Sequence, residues 1–114
     1  MPQLRESYTQ IVERNIDWTG DFASEPCEAA WASEAIFFVR ALRTSGDLTN
    51  VIARVQISPD GMHWCDEGTT FSLPVADDAV TFARVSHFGG WLRIVGSVPD
   101  GAAVTVIVYL VLKA

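Results

Sequence analysis

A chain of 114 residues, 49% hydrophobic and 19% charged, has the size and balance of one globular domain that folds without staples. Its formal net charge of −6 argues against a nucleic-acid backbone or an anionic membrane as partner. The opening MPQLRESYTQIVERN has no apolar leader region, and the longest apolar run, around Val104–Leu112, is too short for a membrane helix. Synthesis in the cytoplasm is the expectation, with Cys27 and Cys65 as free thiols.

In chain order, residues 1–26 come first and differ from the rest. Leu4, Tyr8, Ile11 and Val12 have helical spacing, which allows a short helix. The segment equally fits an extended N-terminal arm with one irregular strand, and the arm is the preferred reading. From residue 27 to 114 the dominant period is two. Ala35–Arg43 reads as a strand, and Val51, Ala53, Val55 and Ile57 alternate with Ile52, Arg54, Gln56 and Ser58 in the next. Val80–Phe88 and Trp91–Val98 are rich in β-branched and aromatic residues. Val104, Val106, Val108, Leu110 and Leu112 form one purely apolar face of a final strand.

Turn chemistry separates these strands. Thr44-Ser45-Gly46-Asp47 is one turn, and Ser58-Pro59-Asp60-Gly61 and Val98-Pro99-Asp100-Gly101 repeat one device. Proline presets φ, aspartate suits the next position, and glycine supplies positive φ at the return. Gly89-Gly90 fits a two-residue hairpin turn between Val80–Phe88 and Trp91–Val98. Short strands at such spacing predict an all-β fold: an antiparallel β-sandwich, jelly-roll-like, with an N-terminal arm.

Val55–Trp64 runs strand, S-x-D-G-x-x-W, return strand, and Phe88-Gly89-Gly90-Trp91-Leu92-Arg93-Ile94 leads to a Val-rich end at Tyr109-Leu110-Val111-Leu112-Lys113. Over residues 50–113 this pattern resembles small β-sandwich structural or accessory proteins of phage virions and related bacterial assemblies. Discoidin-like carbohydrate- or surface-binding sandwiches share the turn. Sialidase Asp-box repeats need another residue between Asp and Gly and recur along the chain, so that comparison fails. The resemblance implies a role in assembly, with or without surface recognition.

Chemistry-bearing residues are sparse. His63 and Cys65 flank Trp64, but zinc wants three or four N/S ligands, and only His87 and Cys27 remain to complete a set. No metal and no cofactor are therefore expected. Neither cysteine sits in a nucleophile signature, and no glycine loop is arranged to cradle phosphate. Fourteen acids offer many pairs without singling one out for glycosidase chemistry, and most lie in turns. No catalytic residue is assigned. Trp18, Trp31, Trp64 and Trp91 are many for this length. Trp64 and Trp91 are candidate sugar platforms, against the plainer reading that they fill the core or an interface.

Pairing the strands through Gly89-Gly90 puts Ala83, Val85, Leu92, Ile94 and Val98 on a core face. The opposite face then holds Phe82, Arg84, Phe88, Trp91 and Arg93, a mixture of aromatics and arginines typical of interfaces. The last strand carries Ile107 and Tyr109 behind its core face. These seven residues are the expected interface of a homo-oligomer, with a cyclic trimer as the first guess and Arg84 and Arg93 meeting carboxylates of neighbours. The expected function is non-enzymatic: a structural or accessory protein that assembles with itself or decorates a larger shell such as a virion. The alternative is a carbohydrate-binding module using exposed tryptophans. A weaker third is an enzyme site built between subunits.

Overall fold

The computed structural model describes residues 6–114. These form nine strands: β1 (Ser7–Trp18), β2 (Asp21–Ala23), β3 (Cys27–Glu28), β4 (Glu34–Ser45), β5 (Ile52–Ser58), β6 (Cys65–Ser72), β7 (Val80–Ser86), β8 (Trp91–Ser97) and β9 (Ala103–Lys113). One sheet has the order β1-β9-β4-β7; the other has β2-β8-β5-β6, with β3 also on β8. All pairings are antiparallel. β2 and β3 act as one interrupted edge strand, since Asp21 pairs with Ser97 and Cys27 with Leu92. Counted that way, the chain changes sheet at every connection except β5–β6, which is the wrapping of an eight-stranded jelly roll. The expected all-β sandwich is the architecture found.

Period-two alternation builds the core. Val104, Val106, Val108, Leu110 and Leu112 of β9 and Ala35, Phe37, Val39 and Ala41 of β4 point inward and are buried. Val55, Leu92 and Ile94 meet them from the other sheet, in one cluster with Trp18 and Phe22, whose rings stack 4.1 Å apart. The strand periodicities of β4, β5, β7, β8 and β9 were readable in advance. So was positive φ at Gly61 and Gly101, where turns require it.

Two expectations are refined. The irregular strand expected before residue 27 is present, but it belongs to the sandwich: β1 is a twelve-residue edge strand on β9, and β2 lies on β8. Leu4 lies outside the described residues. Tyr8, Ile11 and Val12, whose spacing allowed a helix, lie on this strand, and register shifts between Ile11/Glu13 and Glu13/Ile16 break its alternation. Nor do β7 and β8 form a hairpin. β7 pairs with β4 and β8 with β5, β2 and β3, so residues 87–90 are a corner between sheets. A two-residue hairpin turn needs positive φ at its centre; neither Gly89 nor Gly90 adopts it, whereas His87 does, at 57°.

Where β2 gives way to β3, a side chain replaces the ladder. Ser24 N–H donates to the Ile94 carbonyl, and Ile94 N–H donates to Ser24 Oγ, both at 2.9 Å. Pro26, which has no N–H to give, follows. Glu13, on the bulged part of β1, is buried and accepts a hydrogen bond from the Glu25 backbone N–H. It thus ties the edge of one sheet to the edge of the other.

Burial, then the nearby Glu25 carboxylate, push the Glu13 pKa above the ordinary carboxylate value, and the Glu25 N–H only partly offsets them. The folded state therefore binds this proton more tightly than the unfolded chain. Stability must fall as pH rises from the ordinary carboxylate range through the raised folded-state value. Glu13→Gln keeps an acceptor for the Glu25 N–H and cannot ionise. Its melting temperature should exceed that of the wild type at about pH 7, with the difference closing at about pH 4. A variant less stable than wild type at both pH values would refute this account of Glu13.

Candidate functional site

The β5–β6 connection, Ser58-Pro59-Asp60-Gly61, is held by its own side chains. Ser58 Oγ accepts the N–H groups of Asp60 (3.2 Å) and Gly61 (2.8 Å) and donates to Asp60 Oδ1 (3.0 Å). Asp60 Oδ1 also accepts the N–H groups of Met62 and His63, each at 2.9 Å, and Oδ2 lies 2.6 Å from His63 Nδ1. These bonds, the His63 and Met62 N–H groups first, hold the Asp60 carboxyl far below the usual carboxylate range. The network makes a hydroxyl-closed turn overlapping an aspartate-closed one. Gly61 has φ 80°, and a Cβ built there would lie 3.2 Å from the Trp91 ring, which packs over the turn.

The thiols and imidazoles are dispersed. His63 Nδ1 is engaged by Asp60, Cys65 is exposed, and Cys27 is buried with its pKa pushed up to about 11, chiefly by burial. Cys27, Leu92, Ile57 and Cys65 occupy one cross-strand row, in that order. Three strand spacings, about 14 Å, separate the cysteines, so they cannot bridge within one chain. Among the described residues no group of three or more His, Cys, Asp or Glu is placed to hold a metal ion.

The two outer sheet faces carry the remaining candidates, and the structure divides them. On the four-stranded sheet, register places Ile11, Tyr109, Phe38 and Phe82 in one row across all four strands. The row above holds Val111, Ile36 and Arg84; the row below holds Ile107, Arg40 and Val80. Phe38 and Phe82 meet at 6.0 Å between ring centroids, and the Arg84 guanidinium lies 5.1 Å from the Phe82 ring. Ile11, Phe82 and Val80 remain 43%, 47% and 52% exposed. Arg40 pairs with Asp78 at 2.9 Å, while no ion pair forms at Arg84 among the described residues. Phe82, Arg84, Ile107 and Tyr109 of the expected interface set therefore share one face.

Phe88, Trp91 and Arg93 do not join them. Phe88 turns inward and packs against the core. Trp91 and Arg93 lie on the other sheet, because β7 and β8 belong to different sheets. Arg93 stacks 4.3 Å over the Trp64 ring, and its Nε–H donates to Gln56 Oε1 at 2.9 Å. Trp64 is thus covered on one face by a guanidinium and Trp91 is packed against Gly61, so neither is a free platform. Sequence reasoning missed Ile11, whose alternation the bulges hide, and the grouping of Arg54 and Gln56 with Arg93, which only the β5–β8 register reveals.

The chain is an antiparallel jelly-roll sandwich. Among solved structures, the SPBc2 prophage-derived protein YomS matches over 100% of this chain and 98% of its own, with a TM-score of 0.61 and 9% sequence identity. A chain from the structure of infectious bursal disease virus, Gx strain, matches 97% of this chain and 32% of its own, at 11% identity and a TM-score of 0.47. No protein-family model matches the sequence, and neither does any curated protein. The likeness to YomS establishes a common fold across the whole chain.

The turn generates a test. Gly61→Ala should cost about 1–2 kcal/mol in urea unfolding, from positive φ plus the tight approach to Trp91. In a Trp91→Ala background the cost should shrink toward the φ strain alone. Strict additivity of the two substitutions would show that the ring does not bear on the turn.

Proposed function

We propose that the protein is a non-enzymatic structural or accessory component that works by associating with further copies of itself and, through that assembly, by decorating a larger protein shell of the phage type. The observation that carries this reading is the apolar row Ile11–Tyr109–Phe38–Phe82 with its flanking Ile36, Val80, Ile107 and Val111. Four strands by three rows give a flat patch of roughly 300–400 Å². Patches of that size on soluble proteins commonly mark interaction sites.

The patch also has the make-up of an interface. Its centre is aromatic and aliphatic, and its rim holds Arg84, without an ion pair among the described residues, and Arg40, whose ion pair is with the exposed Asp78. A rim arginine beside buried aromatics is a common anchor, and the carboxylates of a neighbouring copy suit it. The whole-length likeness to a prophage-derived protein is in keeping with the phage-type setting. A cyclic trimer is the expected stoichiometry, on fold analogy.

Light scattering after size exclusion tests the reading. The wild type should have about three times the 12.5 kDa chain mass at micromolar concentration. Phe82→Asp or Ile107→Asp should reduce it to the monomer, while Trp91→Ala, on the opposite sheet, should leave it unchanged. A wild-type mass of one chain at all accessible concentrations would refute assembly. A Phe82→Asp or Ile107→Asp protein that keeps the wild-type mass would move the interface elsewhere.

A further inference from the structure

The outer face of the five-stranded sheet carries a shallow cleft of about 450 Å³ between β2, β5 and β8. Outward residues of β8 give it three steps. Arg93 beside Gln56 forms one end, Val95 between Arg54 and Ala23 the floor, and Ser97 beside Asp21 the other end. Val95 is buried yet stands outside the core cluster, so flanking outer-face groups rather than the opposite sheet cover it.

Arg93 is held in place and left without an anion. Trp64 lies under its guanidinium and Gln56 takes its Nε–H. No carboxylate of the described residues pairs with it, whereas Arg54 nearby is paired with Asp66 at 3.5 Å. Burial lowers its pKa somewhat from the ordinary guanidinium value, the mark of a partly desolvated cation. Its terminal N–H groups remain for a ligand, in the planar fork that matches a carboxylate.

We propose that this cleft binds a carboxylated sugar, with Arg93 holding the carboxylate. Ser97 and the Asp21 carboxylate then face hydroxyls at the far end. Arg93 and Ser97 are four residues apart, about 13 Å along a strand, which gives room for one or two sugar rings. Asp21 disfavours the higher charge of a phosphate ester. The polar surroundings suit a small hydrophilic ligand better than a protein partner. The cleft lies on the opposite face of the sandwich from the assembly patch, so the two sites do not compete.

Saturation-transfer and chemical-shift NMR with glucuronate, galacturonate and N-acetylneuraminate, each against neutral glucose or galactose, tests this on the whole chain. At least one acidic sugar should bind and shift the amides of Gly96 and Ser97, with its neutral counterpart at least about tenfold weaker and binding reduced by added salt. Arg93→Gln should abolish binding and Arg93→Lys should weaken it. Should Arg93→Gln fail to fold, Arg93→Lys and the wild-type shift map replace it. Equal binding of neutral sugars, shifts confined to another face, or no binding of any acidic sugar would overturn the proposal. So would a folded Arg93→Gln protein that keeps its affinity, or one whose only defect is a changed oligomer mass, since the cleft would then be a protein contact.

Discussion

The alternation of β9 is the constraint on which the rest of the sandwich depends. Val104, Val106, Val108, Leu110 and Leu112 point inward and are 0–1% exposed, and the strand pairs with β1 on one side and β4 on the other. A slip of one residue would turn all five to the outside, so both neighbouring registers are strongly specified. β4 carries the constraint on to β7 through Phe37, which is fully buried. Truncating such a phenylalanine costs about 3–5 kcal/mol, a large share of the stability of an ordinary domain.

Once the interior is filled by one set of side chains, the other set must find its own surroundings. On β9 and β4 that set includes Ile107, Tyr109, Val111, Ile36 and Phe38, apolar where an exposed antiparallel sheet is usually polar. The jelly-roll wrapping determines which residues this face gathers. Because β7 and β8 fall in different sheets, Arg84 goes to the apolar face and Arg93 to the polar one. The two arginines then have different neighbours: a phenylalanine ring on an open apolar surface, and a tryptophan and a glutamine beside a cleft. One wrapping rule thus separates an open apolar surface from a hydrophilic recess.

Much of the fold was legible because strand alternation and turn glycines act locally. The five strands from β4 onward that alternate cleanly were visible, as were the turns at Gly46, Gly61 and Gly101. What failed was non-local. Gly89-Gly90 looks like a hairpin turn, and no local signal says that β7 leaves for β4. In β1, two bulges and the positive φ of Asn15 remove the period that would have announced a strand. The candidate sites inherit these limits. Phe82, Arg84, Ile107 and Tyr109 were found because outward apolar positions can be counted on a strand. Phe88, Trp91 and Arg93 were grouped with them only through the hairpin that does not form. Ile11 and the Gln56–Arg93 pairing needed the sheet order itself.

The central claim is that the outer face of the four-stranded sheet is covered by another copy of the chain. Carbene footprinting across a dilution series reads this directly at the side chains. The account predicts that labelling of Ile11, Phe38, Phe82 and Tyr109 falls together as concentration rises through the association range. Labelling of Ile52 and Met62, which are exposed away from that face, should stay constant. Labelling of the four outer-face residues that is constant and high at every concentration would contradict it.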